Sequence, residues 1–189
     1  FENIEVGLKW DVTDRLGMTA ALYRLDRTNT RAPGATAGTI VLTGAQRSKG
    51  FELTFEGAMT DDWQMLGGYA YQDAEISRTT SAAPVGRRLP LVPKHSLSLW
   101  NKYQVTPRVG VGLGVVHQDD VFASISNAVT LPSFTRVDAG LFLTLNENLT
   151  AQLNIENLLD ATYYWTAHND NNISPGGPTS FRLGVRVRL

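Results

Sequence analysis

Apolar and polar residues change places at every second position along most of this chain, a period that strands require and helices cannot use. The last segment shows it best. Phe181, Leu183, Val185, Val187 and Leu189 fall on one side, with Arg182, Gly184, Arg186 and Arg188 on the other. Upstream, Leu149, Ala151, Leu153 and Ile155 oppose Thr150, Gln152, Asn154 and Glu156, and Ala139, Leu141, Leu143 and Leu145 oppose Asp138, Gly140, Phe142 and Thr144. Val109, Val111, Leu113 and Val115 alternate with Gly110, Gly112, Gly114 and Val116, and Phe51, Leu53 and Phe55 alternate with Glu52, Thr54 and Glu56. Looser alternation over 3–11, 17–28, 64–77 and around Ser96–Leu99 brings the expectation to nine strands. The only helical candidate, Ile155 to Asp160, reads better as a strand running into a turn.

The links between strands narrow the fold further. Short ones fall at Thr13-Asp14-Arg15, Thr60-Asp61-Asp62, Thr106-Pro107-Arg108 and Asn146-Glu147-Asn148, and long polar ones near 28–45, 78–93, 119–133 and 159–178. Short turns at one end and long loops at the other are the layout of outer-membrane barrels. The expected fold is therefore all-β, an antiparallel up-and-down transmembrane β-barrel. The polar sides would line a wet or plugged lumen and the smooth Leu, Val, Ile and Ala sides would meet lipid. A soluble sandwich shares the alternation but has no reason to sort its loops by end. Trp10 and Trp63, beside short turns, and Tyr163, Tyr164 and Trp165, at the other end, are candidate interface girdles. Trp100, in mid-strand, does not fit that scheme.

Composition excludes several alternatives. With no cysteine, neither a disulfide framework nor a thiolate metal site is possible. A formal net charge of -1 gives no electrostatic reason to expect nucleic acid. The longest apolar run, Val109 to Val116, is far short of the roughly 20 residues a spanning helix needs. Nine strands is an odd number, and bacterial single-chain barrels have even counts, so at least one upstream strand is expected.

Six stretches resemble the C-terminal third of TonB-dependent siderophore receptors, in the family's order and spacing. Glu2-Asn3-Ile4-Glu5-Val6-Gly7-Leu8-Lys9 is similar to "S-E-x-x-E-x-G-x-K", and Gln46-Arg47-Ser48-Lys49-Gly50-Phe51-Glu52-Leu53 to "x-x-R-S-x-G-x-E-L". Leu89-Pro90-Leu91-Val92-Pro93-Lys94-His95 resembles "L-P-x-x-P-x-H", and Pro132 to Gly140 resembles "P-x-Y-x-R-x-D-x-G". Asn154 to Tyr164 resembles "N-x-x-N-L-F-D-x-x-Y", and Pro175-Gly176-Gly177-Pro178 stands where the family has "P-G-x-P-R". The resemblance implies that residues 1–189 are the last nine or so strands of a barrel of about 22 strands, with the N-terminal plug and earlier strands outside this sequence. It implies a bacterial outer-membrane location and uptake of ferric siderophores. The energy would come from the TonB–ExbB–ExbD complex acting through the plug. Membrane lipid and the barrel assembly machinery are further implied partners. Iron would be cargo, with no resident cofactor. The family usually ends on an aromatic residue, whereas this chain stops at Leu189.

Candidate site residues each have a plain reading beside the functional one. Tyr163, Tyr164 and Trp165, with His168, Asn169 and Asp170, could contact an aryl or hydroxamate chelate from the last outer loop, or form a girdle and a solvated loop. Arg87 and Arg88 could attract an anionic ferric complex, or simply be solvated. Glu52, Glu56, Asp138, Gln152, Asn154, Glu156, Arg182, Arg186 and Arg188 are expected to face the lumen. There the arginines would oppose carboxylates and amides, such as Glu156 and Asp138, on neighbouring strands, holding a plug or guiding an anion, or merely keeping the lining polar. His95, His117 and His168 lack metal-ligand spacing. Asp119 and Asp120 beside His117 make too common a grouping to suggest hydrolysis. No catalytic constellation is expected. The competing function is a passive porin or structural barrel.

Overall fold

The computed structural model describes residues 1–33, 39–81 and 83–188. Leu189 and parts of the 28–45 and 78–93 links lie outside the described residues. In chain order the strands are β1 (Glu2–Thr13), β2 (Leu16–Pro33), β3 (Ile40–Ala58), β4 (Trp63–Arg78), β5 (His95–Thr106), β6 (Val109–Gln118), β7 (Val121–Phe122), β8 (Thr130–Leu131), β9 (Phe134–Asn146), β10 (Leu149–Glu156), β11 (Tyr164–Asn169), β12 (Asn172–Pro175) and β13 (Ser180–Val187). Nine of them form one antiparallel sheet, β1-β2-β3-β4-β5-β6-β9-β10-β13, so each new strand adds beside the last in an up-and-down meander. The other four make two small hairpins, β7 with β8 and β11 with β12.

Register explains why alternation is so clear a signal. Val111 pairs with Leu141, Leu141 with Leu153, and Leu153 with Leu183. Across the first strands, Leu8, Ala20, Leu53, Tyr69 and Leu97 form a similar row. Because the side-chain period is two, these rows put every apolar set on one face of the whole wall. Nothing covers that face: Leu8, Leu22, Leu113, Leu183 and Val185 are each at least half exposed. A sandwich would have buried them.

Aromatic residues bound the apolar face at both ends. Trp10, Trp63 and Tyr103 share it at the short-turn end, Trp63 lying opposite Tyr103. At the loop end the row is Tyr69, Tyr71 and His95, where the Tyr69 hydroxyl lies 2.6 Å from His95 Nδ1 and the Tyr71 and His95 ring centroids are 5.1 Å apart. Tyr163, Tyr164 and Trp165 are not in this row. They lie beyond the sheet, in and before the β11–β12 hairpin. On β4 the apolar stretch runs from Trp63 to Tyr71, and eight residue steps span roughly 26 Å along a strand. That length is comparable, after tilt, to the apolar band of about 25 Å of outer-membrane barrels.

Each short turn is tightened by a side-chain oxygen accepting a backbone N–H, the device that makes Thr and Asn good turn residues. Thr13 Oγ1 accepts from Arg15, Thr60 Oγ1 from Trp63, Thr106 Oγ1 from Val109, and Asn146 Oδ1 from Asn148, at 3.0–3.2 Å. Arg15 and Asp61 join two neighbouring turns by an ion pair. The hydrogen bond and charge of Arg15 hold the Asp61 carboxyl below its ordinary range. This small aid is present above the ordinary carboxylate pKa and fades as pH falls through the lowered value.

On the polar face Trp100 finds its place. Its indole lies flat across three glycines of the neighbouring strands: a Cβ at Gly112, Gly114 or Gly140 would come within 2.5, 2.6 and 3.3 Å of the ring. Beside it, Lys102 Nζ sits 4.8 Å from the Phe142 ring centroid. Only residues lacking a side chain let an indole approach the backbone this closely. Gly114→Val should therefore destabilise the wall by about 1–3 kcal/mol, as overpacking does. In thermal melts, adding Trp100→Ala should remove much of that penalty, a positive coupling between two residues on adjacent strands.

The long links are more ordered than a polar loop composition suggests. β2 and β3 continue their pairing to Pro33 and Ile40, so most of the 28–45 link is ribbon. The 119–133 and 159–178 links each fold into their own hairpin.

Candidate binding surface at the loop end

Buried side chains are concentrated where the loops meet. Val121, Ala123, Leu131 and Ala167 are buried together, with Val129 and Ile173 packed on them. This small core joins the β7–β8 and β11–β12 hairpins, and Ser126 Oγ donates to Asp170 Oδ2 across the same contact at 2.7 Å. The 78–94 link is fastened to the assembly by Arg88. The Arg88 backbone N–H donates to Asn127 Oδ1 at 3.1 Å, and Asn127 Nδ2 returns a bond to the Arg88 carbonyl at 3.0 Å. Its guanidinium donates to the Asp120 carboxylate and carbonyl and lies over Phe122. Arg87 donates to the Ile125 carbonyl at 3.4 Å. Three outer loops are thus one interlocked cap.

This arrangement replaces the solvated reading of the two arginines. Arg87 and Arg88 are half-buried and fasten one loop to the next. Adjacent positively charged residues in a Gly- and Pro-rich link look solvated in sequence, because their partners, Asp120 and Ile125, lie more than thirty positions away.

Tyr163 is likewise part of the framework. It is 5% exposed, its ring packs 4.7 Å from Phe134 between centroids, and Gly176 lies against it so closely that no Cβ would fit. Its hydroxyl accepts from the Arg136 guanidinium at 3.3 Å. Tyr164, Trp165 and His168 stay open to solvent. Of the aromatic cluster, then, only Tyr164 and Trp165 present surface.

The rim below is held by Asn157, 1% exposed and in the left-handed region at φ 53°. Asn and Asp tolerate that conformation better than other side chains. Its Nδ2 donates to the carbonyls of Ala161 and Gly177, and its Oδ1 accepts from the Ala161 N–H. Its backbone N–H donates to Asp138 Oδ1 at 2.8 Å, and its carbonyl accepts from Thr179 Oγ1 at 2.7 Å. Arg136 donates to the other Asp138 oxygen at 2.8 Å. Asp138 is thus a bracket joining strand β9 to the last loop. Asn157 was not singled out from sequence; its place directly after a regular strand, in a turn-forming Asn-Leu-Leu-Asp run, was the available signal.

The remaining polar-face residues share a face without meeting as a site. Register places Glu52 opposite Ala21 and Ala70, and Glu56 opposite Gly17 and Leu66. Gln152 donates to Asn154 at 2.7 Å. Arg182 lies opposite Asn154 and Arg186 opposite Thr150, while Glu156 pairs with Ser180 and Arg188 follows the end of β13. Of the carboxylates and amides expected opposite these arginines, the register supplies an amide, Asn154, against Arg182 and a hydroxyl, Thr150, against Arg186. His117 bonds Thr135 and approaches Asp119, while Asp120 turns to Arg88, so the two acids diverge. Among the described residues no three His, Asp or Glu side chains converge in a way that would hold a metal ion.

A cavity of about 260 Å³ opens between β2, β3, the end of β4 and the residues around Ala83 and Pro90, with Ile125 of the cap also lining it. Arg31 and Arg78 lie at it, with Gln46, Ile76, Ala83 and Pro90. Neither arginine was singled out from sequence, since each stands alone in a polar stretch.

The family model described as "TonB dependent receptor-like, beta-barrel" matches residues 2–158. The chain belongs to that family. Among curated relatives, the probable TonB-dependent siderophore receptor PiuA of Acinetobacter baumannii is 35% identical over 99% of this chain and 26% of its own length. The catecholate siderophore receptor Fiu of Escherichia coli is 37% identical over 98% of this chain and 25% of its own. The chain thus spans about a quarter of the length of these relatives. The crystal structure of PiuA superposes with a TM-score of 0.90 at 33% identity, covering 98% of this chain and 28% of that one. The nine-stranded sheet is accordingly a section of a TonB-dependent receptor barrel.

Proposed function

We propose that this chain forms the C-terminal section of the wall and outer cap of an outer-membrane receptor that takes up ferric siderophores with energy supplied through TonB. The observation that carries the reading is near-complete coverage, at 35–37% identity, by relatives named as siderophore receptors. The bare apolar face with aromatic borders supports placement in a bilayer, with the polar face toward an enclosed interior. β1 pairs only with β2, and β13 only with β10. Unpaired strand edges in hydrocarbon leave backbone groups costing several kcal/mol each, so further strands of the same polypeptide would close the barrel. A plug filling that interior would be the element on which the TonB complex pulls. Iron would enter as a chelate and leave with it, the wall holding no cofactor of its own.

A passive pore shares the wall but needs no energy input, and this separates the two readings. In a strain lacking other ferric-chelate receptors, the full-length gene should restore growth on ferric siderophores as sole iron source. Deletion of TonB should abolish that growth. Growth unchanged without TonB would establish a pore instead.

A further inference from the structure

We propose that the cavity bounded by Arg31 and Arg78 is a ligand subsite that takes one anionic, flat arm of the incoming ferric chelate. This inference rests on the receptor reading above and assigns a charge class that the reading leaves open.

The walls of the cavity are fixed before any ligand arrives. Ile76, Ala83, Ala45 and Thr30 are buried. Residues 86 and 87 are held to β4 by main-chain bonds from Ile76 N–H to the Arg87 carbonyl at 2.8 Å, and from Gly86 N–H to the Ile76 carbonyl at 2.9 Å. Thr80 and Ala83 close a turn at its edge, the Thr80 N–H donating to the Ala83 carbonyl at 2.9 Å. Gly44 lies so close to Thr30 that no Cβ would fit between them. Ile125 is brought to the rim by the cap and kept there by the Arg87 guanidinium. A preformed cavity loses little ordering entropy on binding.

Its chemistry is one-sided. Arg24, Arg47, Arg88 and Arg136 are all paired with carboxylates. Among the described residues, the Arg31 and Arg78 side chains have neither a carboxylate nor a hydrogen-bond partner, and no carboxylate lines the cavity. Two exposed, unpaired arginines on a cavity also lined by Ile76, Pro90 and Ile125 suit a ligand that is flat and apolar in its body and anionic at its edge. Guanidinium groups bind such oxygens through charge-assisted, often bidentate bonds. About 260 Å³ is below the usual range of roughly 300–1,000 Å³ for sites that enclose a whole drug-sized ligand. The cavity therefore holds an arm while the body of the chelate sits outside it.

The test uses the full-length receptor in detergent, with binding followed by quenching of tryptophan fluorescence. The probes are the trianionic ferric complex of a synthetic tris-catechol chelator and an electrically neutral ferric trihydroxamate. Combining Arg31→Ala with Arg78→Ala should raise Kd for the tris-catecholate roughly 10- to 100-fold, the scale of one hydrogen bond to a charged group, and leave the trihydroxamate unaffected. Unchanged tris-catecholate binding in the double variant, or unaltered receptor that binds only the neutral chelate, would overturn the subsite while leaving the receptor reading intact. An unaltered receptor that binds neither chelate and supports no ferric-chelate growth would overturn both. Should the double variant not assemble, salt titration of the unaltered receptor decides. Affinity for the trianion should fall several-fold as salt rises, and a salt-independent affinity overturns the proposal.

Discussion

Leu153→Arg should destabilise the assembled receptor by about 2–4 kcal/mol, the cost of a cation facing lipid near mid-depth of a barrel wall. Gln152→Arg, one residue earlier, should cost almost nothing. The two positions are adjacent in β10, yet Leu153 lies in the apolar row between Leu141 and Leu183, while Gln152 stands between Phe142 and Gly184 on the other face. The measurement is the fraction of folded barrel across a denaturant series in lipid vesicles. Equal tolerance at both positions would mean that the two faces see the same solvent, and the assignment of the apolar face to lipid would fail.

Asn157→Ala should cost more, about 4 kcal/mol or above. It strands the Ala161 N–H and the Ala161 and Gly177 carbonyls in a site that is 1% exposed, each such loss costing on the order of 1–3 kcal/mol. It also leaves a residue with a Cβ at φ 53°, a conformation roughly 1–2 kcal/mol unfavourable for most side chains. Asn157→Gly separates the two contributions, because glycine removes the bonds but accepts the backbone angle. In thermal melts of the full-length receptor, the unaltered protein should melt highest, the Asn157→Gly variant lower, and the Asn157→Ala variant lowest. Protease cleavage within 158–179 should rise in the same order. Equal melting of all three would show that the knot contributes nothing to holding the last loop.

How far the sequence could be read follows from the range of the interactions involved. Strand faces are set by neighbours two positions apart, so Leu141, Leu153 and Val185 reveal their side directly. Turns at Thr60 and Thr106 are local too, since the capping oxygen lies within three residues of the N–H it accepts. The cap is different. Arg88 with Asp120, Ser126 with Asp170, and Tyr163 with Phe134 and Arg136 are joined across 27 to 44 positions. Nothing in the residues beside Arg88 distinguishes a fastener from a solvated charge. Trp100 failed the girdle scheme for a similar reason: its glycine bed comes from two other strands. Arg31 and Arg78 become conspicuous only once Arg24, Arg47, Arg88 and Arg136 are seen to be matched with carboxylates.

The interlocked cap has a consequence for how such receptors can be diversified. Because the 119–133 and 159–178 segments share one small core, and Arg87 and Arg88 bond the preceding loop to the first of them, a graft of any single segment from a relative would meet mismatched partners. Exchange should succeed when all three travel together as a cassette. The β2–β3 ribbon, which contributes nothing to that core, is the natural place for piecemeal variation in what the receptor recognises.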